Sequence, residues 1–487
     1  MIRRARLSPA LSPAVLRTEV LSGLVVALAL IPEAIAFSII AGVDPRVGLF
    51  ASFTMAVTIA FTGGRPAMIS AATGAVALVV APLVREHGVQ YLVAAVLLGG
   101  AIQIALALAG VAKLTRFLPR SVMVGFVNAL AILIFVSQLV HLVDVPWAVY
   151  ALVAVALVVL VGLPRLTTAV PAPLVAIVAL TAFTLLSGTV VPTVGDQGAL
   201  PDSLPVLGLP AVPLTWATLQ VIAPYALGLA VVGLLESLMT ATLVDDITDT
   251  PSDKTRESWG QGVANNVTGR FGGKGGCAMI GQTMINVKVG GARTRISTFL
   301  AGAFLLVLVV ALGDLVGRIP MAALVAVMVM VAVSTFDWHS LRTLHVMPWS
   351  ETAVMLSTVA VTVATSNLAY GVGVGVLVAM VAFARRVAHV VEVTTERDGD
   401  TTVYRVSGQL FFASTGALVS AVDHADGAAT VVIDLTDAHV WDASTVAALE
   451  SIQARATQRG AEVRITGMDP GSAARHAALA GRLSPGA

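Results

Sequence analysis

Charge is scarce in this sequence. Asp, Glu, Lys and Arg make up only 12% of its 487 residues, and 57% are hydrophobic. Soluble domains carry about a quarter charged residues, so with a mean hydropathy of +0.90 the chain reads as a polytopic membrane protein. The net charge is +1, and no basic run is long enough to grip nucleic acid, so none is expected as a partner. Cysteine is almost absent: Cys277 alone excludes an intramolecular disulfide and carries no compartment signal. No Ser/His/Asp constellation, phosphate loop or zinc spacing is present, so neither an enzyme nor a bound cofactor is expected. No small-residue cleavage site follows the first apolar run. MIRRARLSPALSPAVLRTEV therefore reads as a cytoplasmic tail, residues 1–18, rather than a cleaved signal peptide.

What the chain does have is a dense series of apolar segments from residue 19 to 388. Spans are expected near 19–41, 46–62, 68–84, 89–110, 120–142, 146–163 and 171–188. A Pro/Gly-rich loop follows, VVPTVGDQGALPDSLPVLGLPAVP, and then spans near 217–244, 254–271, 277–288, 295–313, 317–334, 349–366 and 368–386. That makes fourteen, seven on each side of the loop.

With the N-terminus inside, the inner side holds Arg3, Arg4, Arg6, Arg17, Arg65, Lys113, Arg116, Arg120, Arg165, Lys254, Arg256, Lys288, Arg293, Arg295, Arg342, Arg385 and Arg386. The outer side holds Arg46, Arg85 and Arg318. Positive charge inside fits a multi-pass protein of the cytoplasmic membrane with both termini cytoplasmic. Seven spans per half also set the halves in opposite orientations, the arithmetic of an inverted repeat.

The third span of each half looks broken. GGRPAMISAATGAVALVVAPLV (63–84) and GRFGGKGGCAMIGQTMINVKVGG (269–291) both begin with Gly or Pro and are too short in apolar length. Paired interrupted helices point to a transporter's binding site, because half-helix N-termini expose free N–H groups near the midplane. Inside the eighth span, VVGLLESLMTATLVDDITD places Glu236 with no Lys or Arg within a helical turn. An acid near a helix centre costs about 2.5–3.5 kcal/mol on the insertion scale, so it reads as functional. Thr240, four residues on, shares its helix face. From residue 389 to 487 the pattern changes: VYRVSGQLFFAS and TVVIDLTDAHVWDAS read as strands, ASTVAALESIQARATQRG as an amphipathic helix and AEVRITGM as a further strand. This is a small cytoplasmic α/β domain.

At these residues a resemblance enters. ALALIPEAIAFSIIAGVDPRVGLFASF (27–53) resembles the first-helix signature of the SulP sulfate permeases, the solute carrier 26 family. ESWGQGVANNVTGRFGG and GGCAMIGQTMINVKVGGARTRIS resemble that family's ninth and tenth helices, and VVIDLTDAHVWDAST is similar to a STAS domain, the module shared with anti-sigma-factor antagonists. The resemblance implies seven plus seven inverted helices divided into core and gate, a homodimer, and elevator-like motion of core against gate. Anions such as sulfate, bicarbonate, chloride or a dicarboxylate would bind between the third and tenth helices. By position it implies that Glu33 and Phe37 face the anion, with Glu where the family usually has Gln. Thr73 is the third-helix site residue. Ala278, Met279 and Ile280 present N–H groups, and Glu236 and Thr240 match the acid and hydroxyl that hold sodium in sodium-coupled members. Gln282 stands where many animal members carry arginine.

Charge then sets the expectation. Two half-helix N-termini contribute about +0.5 each, whereas an ionised Glu236 roughly 5 Å from an anion repels it by about 3 kcal/mol at an effective dielectric near 20. With Gln282 in place of arginine, no side-chain cation is expected to compensate. A proton on Glu236, or a sodium ion among Glu236, Thr240 and Thr73, removes the penalty, so cation-coupled uptake is expected over anion exchange or channel-like permeation. If Glu33 lies beside Glu236, like charge favours a proton on one of them, which tilts the reading toward protons. A membrane-anchored STAS regulator with little transport is the remaining alternative.

Other polar residues have plainer readings. Gln261, Asn265 and Asn266 are expected to tie helices together. Lys274 and Lys288 flank the tenth half-helix; either could draw anions in, but they read first as snorkelling lysines, and Cys277 as a small residue allowing close packing. Asp245, Asp246, Asp249 and Asp253 read as a solvated inner loop. Asp442, Ala443 and Ser444 fall where antagonist proteins have a phosphorylatable serine, in a domain read as stabilising the dimer or binding a protein partner.

Overall fold

The computed structural model describes residues 12–110, 119–166, 171–200, 204–388, 391–422 and 427–482. Arg3, Arg4, Arg6, Lys113 and Arg116 lie outside the described residues. The chain divides into two compact units, Met1–Val376 and Leu377–Ala487.

In the first half of the helical part come α1 (Pro13–Ala41), α2 (Pro45–Thr62), the two-residue strand β1 (Ser70–Ala71), α3 (Gly74–His87), α4 (Val89–Leu108), α5 (Arg120–Leu139), α6 (Trp147–Leu166) and α7 (Ala172–Ser187). The second half repeats the plan with α8 (Trp216–Thr248), α9 (Lys254–Arg270), β2 (Cys277–Ala278), α10 (Ile280–Met284) running into a π turn at Ile285–Val289, α11 (Arg295–Ala311), a short α12 (Gly313–Gly317), α13 (Met321–Thr335), α14 (Trp338–Thr343), α15 (Trp349–Thr365) and α16 (Leu368–Ala388). Each of the fourteen expected spans has its counterpart. Among the described residues, eight helices are long and apolar enough to cross a membrane. α3 and α10 are not among them, because Gly- and Pro-rich stretches break both segments.

The ends follow local chemistry. α1 starts at Pro13, earlier than expected, because Ser12 caps it by accepting from Val15 N–H and proline suits the first helical position. The last carbonyls of α2 are held by arginines: Arg256 donates to the Phe61 and Thr62 oxygens, and Arg295 to those of Ala60 and Gly63. Cations at a helix C-terminus answer both its free carbonyls and its dipole. The short α14, expected in neither half, begins where Asp337 accepts from the His339 and Ser340 N–H groups.

Packing sorts the helices into two bundles. α1–α4 pack mainly against α8–α11, whereas α5 packs against α13 and α15, and α6 against α7 and α13. These are the core and gate that the resemblance implies. Core packing depends on small residues. A Cβ on Gly262 would sit 2.6 Å from the Gly100 carbonyl oxygen, and one on Gly100 would sit 2.7 Å from that of Gly262. α4 and α9 therefore cross backbone on backbone, as small residues permit within membranes.

The second unit is a four-stranded sheet in the order β3 (Glu392–Asp398), β4 (Thr401–Leu410), β5 (Thr430–Val440), β6 (Glu462–Thr466). β3 is antiparallel to β4, and the other pairs are parallel. α17 (Thr415–Ala421), α18 (Ala443–Gln458) and α19 (Pro470–Leu479) complete it, and Tyr404, Leu410, Ile433, Leu435, Leu449 and Ile452 are in its core. Asp442 caps α18 through Thr445 N–H, Ala443 is the first helical residue, and Ser444 is exposed.

Asp469 caps α19. The Ser472 hydroxyl above all, then the N–H groups of Ser472 and Gly471 and the His439 ring, push its carboxyl down to about 2 from 3.8. A depressed acid contributes stability above its ordinary value and loses it as pH falls through the folded one. The contribution should therefore vanish between pH 3.8 and about 2. In Asp469→Ala, chemical unfolding of this unit should lose that pH dependence. Amide exchange at Gly471 and Ser472 at neutral pH should become several-fold faster.

Candidate functional site

The two broken segments meet head to head. β1 pairs antiparallel with β2, Ser70 opposite Ala278 and Ala71 opposite Cys277. Met279 N–H donates to the Ile69 oxygen at 2.9 Å. Because each strand leads directly into its helix, this pairing brings the first turns of α3 and α10 to one place between the halves. Thr73 caps α3, its hydroxyl accepting from Val76 N–H.

α9 holds the crossing in register. Asn265 accepts from Gly276 N–H at 2.9 Å and donates to the Gly276 oxygen at 3.0 Å, and it also donates to Gln103. Gln261 donates to the Ser70 hydroxyl at 2.7 Å and to Glu257 at 2.8 Å. Asn266 donates only within its own helix, to Gly262. Gln261 and Asn265 therefore act as ties, as their helical spacing indicates, whereas Asn266, expected to do the same, bonds its own helix. On the other side of β2, the Ser237 hydroxyl of α8 accepts from Ala278 N–H.

Around the crossing sit the acids. Glu236 is buried, and its carboxylate accepts from the Cys277 thiol at 2.9 Å. The same sulfur lies 3.1 Å from the Thr73 hydroxyl. Thr240 is fully buried, but its hydroxyl donates to the Glu236 backbone oxygen, so only its lone pairs remain for a ligand. Glu33 accepts from the Gln282 amide at 2.9 Å, while the buried carbonyl oxygen of Gln282 has no protein partner. Glu33 engages α10 through Gln282, and Glu236 engages β2 through Cys277. Phe37 lies against the start of α3, where a Cβ on Gly74 would come 2.7 Å from its ring.

Three sequence expectations need correcting. Lys274 does not snorkel: it is fully buried, donates from Nζ to the Thr73 carbonyl oxygen at 3.0 Å, and lies 5.7 Å from the centre of the Phe37 ring. The site therefore contains a buried lysine side chain that the charge count left out. Cys277 is more than a small residue, since its thiol links Thr73 to Glu236. Asp245 is not simply solvated: it pairs with the buried Arg65 at 3.0 Å and with Lys254 at 2.7 Å, tying the start of the first broken segment to the end of α8. Asp253 caps α9, and Lys288 is exposed. No cluster of metal-ligating side chains occurs among the described residues.

Comparison with known proteins supplies the family. The sulfate permease family profile matches residues 16–153 and 140–358, and the STAS domain profile matches 392–481. The putative sulfate transporter YbaR of Bacillus subtilis is 53% identical over 94% of this chain and 95% of its own. The bicarbonate transporter BicA of Synechocystis is 26% identical over 86% of this chain and 82% of its own. Murine solute carrier 26 family member A9, an anion transporter captured in the inward-facing state, superposes with a TM-score of 0.80 over 98% of this chain and 92% of its own at 16% identity. The chain belongs to the sulfate permease family of multi-pass membrane transporters and ends in a STAS domain.

Proposed function

We propose that the chain takes up a small oxyanion, sulfate or bicarbonate, across the cytoplasmic membrane in company with a proton, and that Glu236 carries that proton. The observation behind this is the β1–β2 crossing. It gathers the N-terminal turn of α3, the Phe37 ring, the Lys274 side chain and the Glu236 carboxyl around one point. Backbone N–H groups and hydroxyls suit an oxyanion, and Ala278, Met279, Ile280, Thr73, Phe37, Glu33 and Gln282 are its proposed contacts. The names of two relatives, the putative sulfate transporter YbaR and the bicarbonate transporter BicA, support both substrate candidates.

A protonated Glu236 no longer repels the anion, so binding of the two is mutually favourable, and linkage makes that reciprocal. Movement of the core bundle against the gate bundle would carry both across. Positive charge on the inner side supports cytoplasmic termini, and a homodimer with the STAS domain as its partner-binding or dimer-stabilising module completes the proposal.

The test is uptake of labelled sulfate into proteoliposomes, with bicarbonate and succinate as competitors, under an inward proton gradient and then an inward sodium gradient. Accumulation driven by protons supports the reading, and the competitors rank the substrates. Accumulation driven only by sodium, or exchange indifferent to both, overturns it. Protein lacking residues 390–487 should still carry anion, whereas a membrane-anchored regulator would show no flux with or without them.

A further inference from the structure

At the end of α11 that the charge pattern sets outside, two cavities flank α12, and neither shares a residue with the anion site. One, of about 270 Å³, lies between the bundles: Leu28 and Ile31 of α1 and Leu308 of α11 line it together with Ile177 and Leu185 of α7 and Leu315 of α12. Among the described residues around it Thr181 alone is polar, and its hydroxyl donates to the Ile177 carbonyl oxygen of its own helix. Apolar cavities stay dry and take up apolar ligands. Leu185, Leu312 and Leu315 on its wall are half-exposed, so it opens on the lipid-facing side of the bundle. The other cavity, of about 510 Å³, is polar: Gly195, Gly313 and Gly317 line it with backbone alone, and Asp314 and Arg318 supply one charge of each sign. Both charged residues are exposed, and neither side chain has a hydrogen-bond or ion-pair partner among the described residues. Leu312, Leu315, Val316 and Ile319 recur at the spacing of one helix face and turn to the apolar cavity. Asp314 and Arg318, four apart, share the opposite face.

We infer that the two cavities together hold one phosphatidylethanolamine molecule of the outer leaflet, with an acyl chain between core and gate and the headgroup over α12. A simple anion would leave Asp314 unanswered, and a choline head has no N–H to give it. A phosphoethanolamine head answers both charges: the Arg318 fork takes the phosphate, and Asp314 accepts from the primary ammonium. The chain restores dispersion contacts that the walls of a void lack. Leaving one lipid environment for another brings no hydrophobic gain, so selectivity comes from the two charges. A helix is about 10–12 Å across with its side chains, less than the roughly 20 Å depth of one leaflet, so one lipid can straddle α12. A chain lodged there touches α1 and α11 of the core and α7 of the gate. Displacing one bundle against the other reshapes its cavity, so the lipid restrains core movement. That restraint, unlike the binding, rests on the proposed transport function.

The experiment uses the full-length protein in detergent. Native mass spectrometry counts the lipid retained after titration with phosphatidylethanolamine, phosphatidylcholine or phosphatidylglycerol of identical chains. Wild type should keep one phosphatidylethanolamine per chain, with a several-fold preference over the other two. Asp314→Asn should lose that preference, and Arg318→Gln should weaken retention of all three. Both side chains are exposed and unpartnered, so neither change threatens the fold. Leu185→Trp, which fills the mouth of the apolar cavity, should weaken all three without changing their order. In phosphatidylcholine vesicles, adding phosphatidylethanolamine should slow sulfate exchange by wild type several-fold and leave Asp314→Asn unchanged. Equal retention of the three lipids, a preference that survives Asp314→Asn, or retention untouched by Leu185→Trp means annular lipid only and overturns the site. Selective binding with no effect on exchange overturns the restraint. If no vesicle shows flux, the transport reading fails, and the lipid count still decides the site.

Discussion

Glu236→Gln should abolish proton-driven accumulation while leaving sulfate-for-sulfate exchange in place. The amide keeps the shape of the carboxylate and still offers an oxygen to the Cys277 thiol, so the crossing of the broken segments should persist. What is lost is the group that takes a proton on one side and releases it on the other. At one proton per anion and with the membrane potential clamped, a gradient of one pH unit is worth about 1.4 kcal/mol, or about tenfold accumulation. Wild-type proteoliposomes should approach that ratio. The variant should stay near unity, because Gln keeps the site permanently in its neutral-acid charge state. Labelled sulfate trapped against unlabelled sulfate should still exchange at a rate comparable to wild type. A variant that accumulates sulfate as wild type does would show that the acid is structural.

The second large effect should come from Gly276→Ala. A Cβ there would lie 1.9 Å from the Ala71 carbonyl oxygen and 2.7 Å from its carbonyl carbon. Both are backbone, so no side chain can rotate away. Asn265 grips the N–H and C=O of Gly276 from behind, which leaves β2 no room to retreat. The strand must move off β1, and the first turn of α10 and the Cys277 bridge to Glu236 would move with it. Overpacking of a tight site costs about 1–3 kcal/mol, occasionally more, and this contact is with backbone. Transport should fall to background and the melting temperature should drop. Gly162→Ala on α6, where a Cβ meets nothing within 4 Å, should leave transport intact and, as alanine for glycine within a helix, raise stability by up to about 1 kcal/mol. Normal transport by Gly276→Ala would mean that the β1–β2 pairing does not hold the site.

Sequence pattern reaches far into this fold because a bilayer imposes simple rules. Apolar runs of spanning length, the two Gly-rich interruptions and an acid amid LLESLMTATL announce the helices, the paired breaks and Glu236 before any coordinates. The α9 amides are legible too, since polar side chains at helical spacing in a membrane must find partners. Other elements stay hidden for physical reasons. β3, EVTTERD, is charged and mostly exposed, so it has none of the apolar alternation that marks a strand. It forms because β4 offers it an edge to pair with. Lys274 misleads because GGKGG reads as a surface loop. Its partners Thr73 and Phe37 are on other helices, 201 residues away in the case of Thr73. The sequence around Arg65 says nothing of Asp245, 180 residues away. A single chain shows periodicity along itself, but it does not show which distant groups will share a buried point.

The glycine crossing of α4 and α9 bears on how the protein is made. Gly100 and Gly262 touch across the two halves, 162 positions apart, and Glu257 and Asn265 on α9 hold backbone or side chains of the first half. At about 5–20 residues per second of synthesis, the first four helices wait roughly 10–30 s for the helix that completes their packing. Throughout that interval the N–H groups of Gly64 and Arg65 lack the Glu257 carboxylate, and Gln103 lacks Asn265. The nascent first half is thus an exposed intermediate, and the ribosome's pace through residues 110–262 sets how long it stays so.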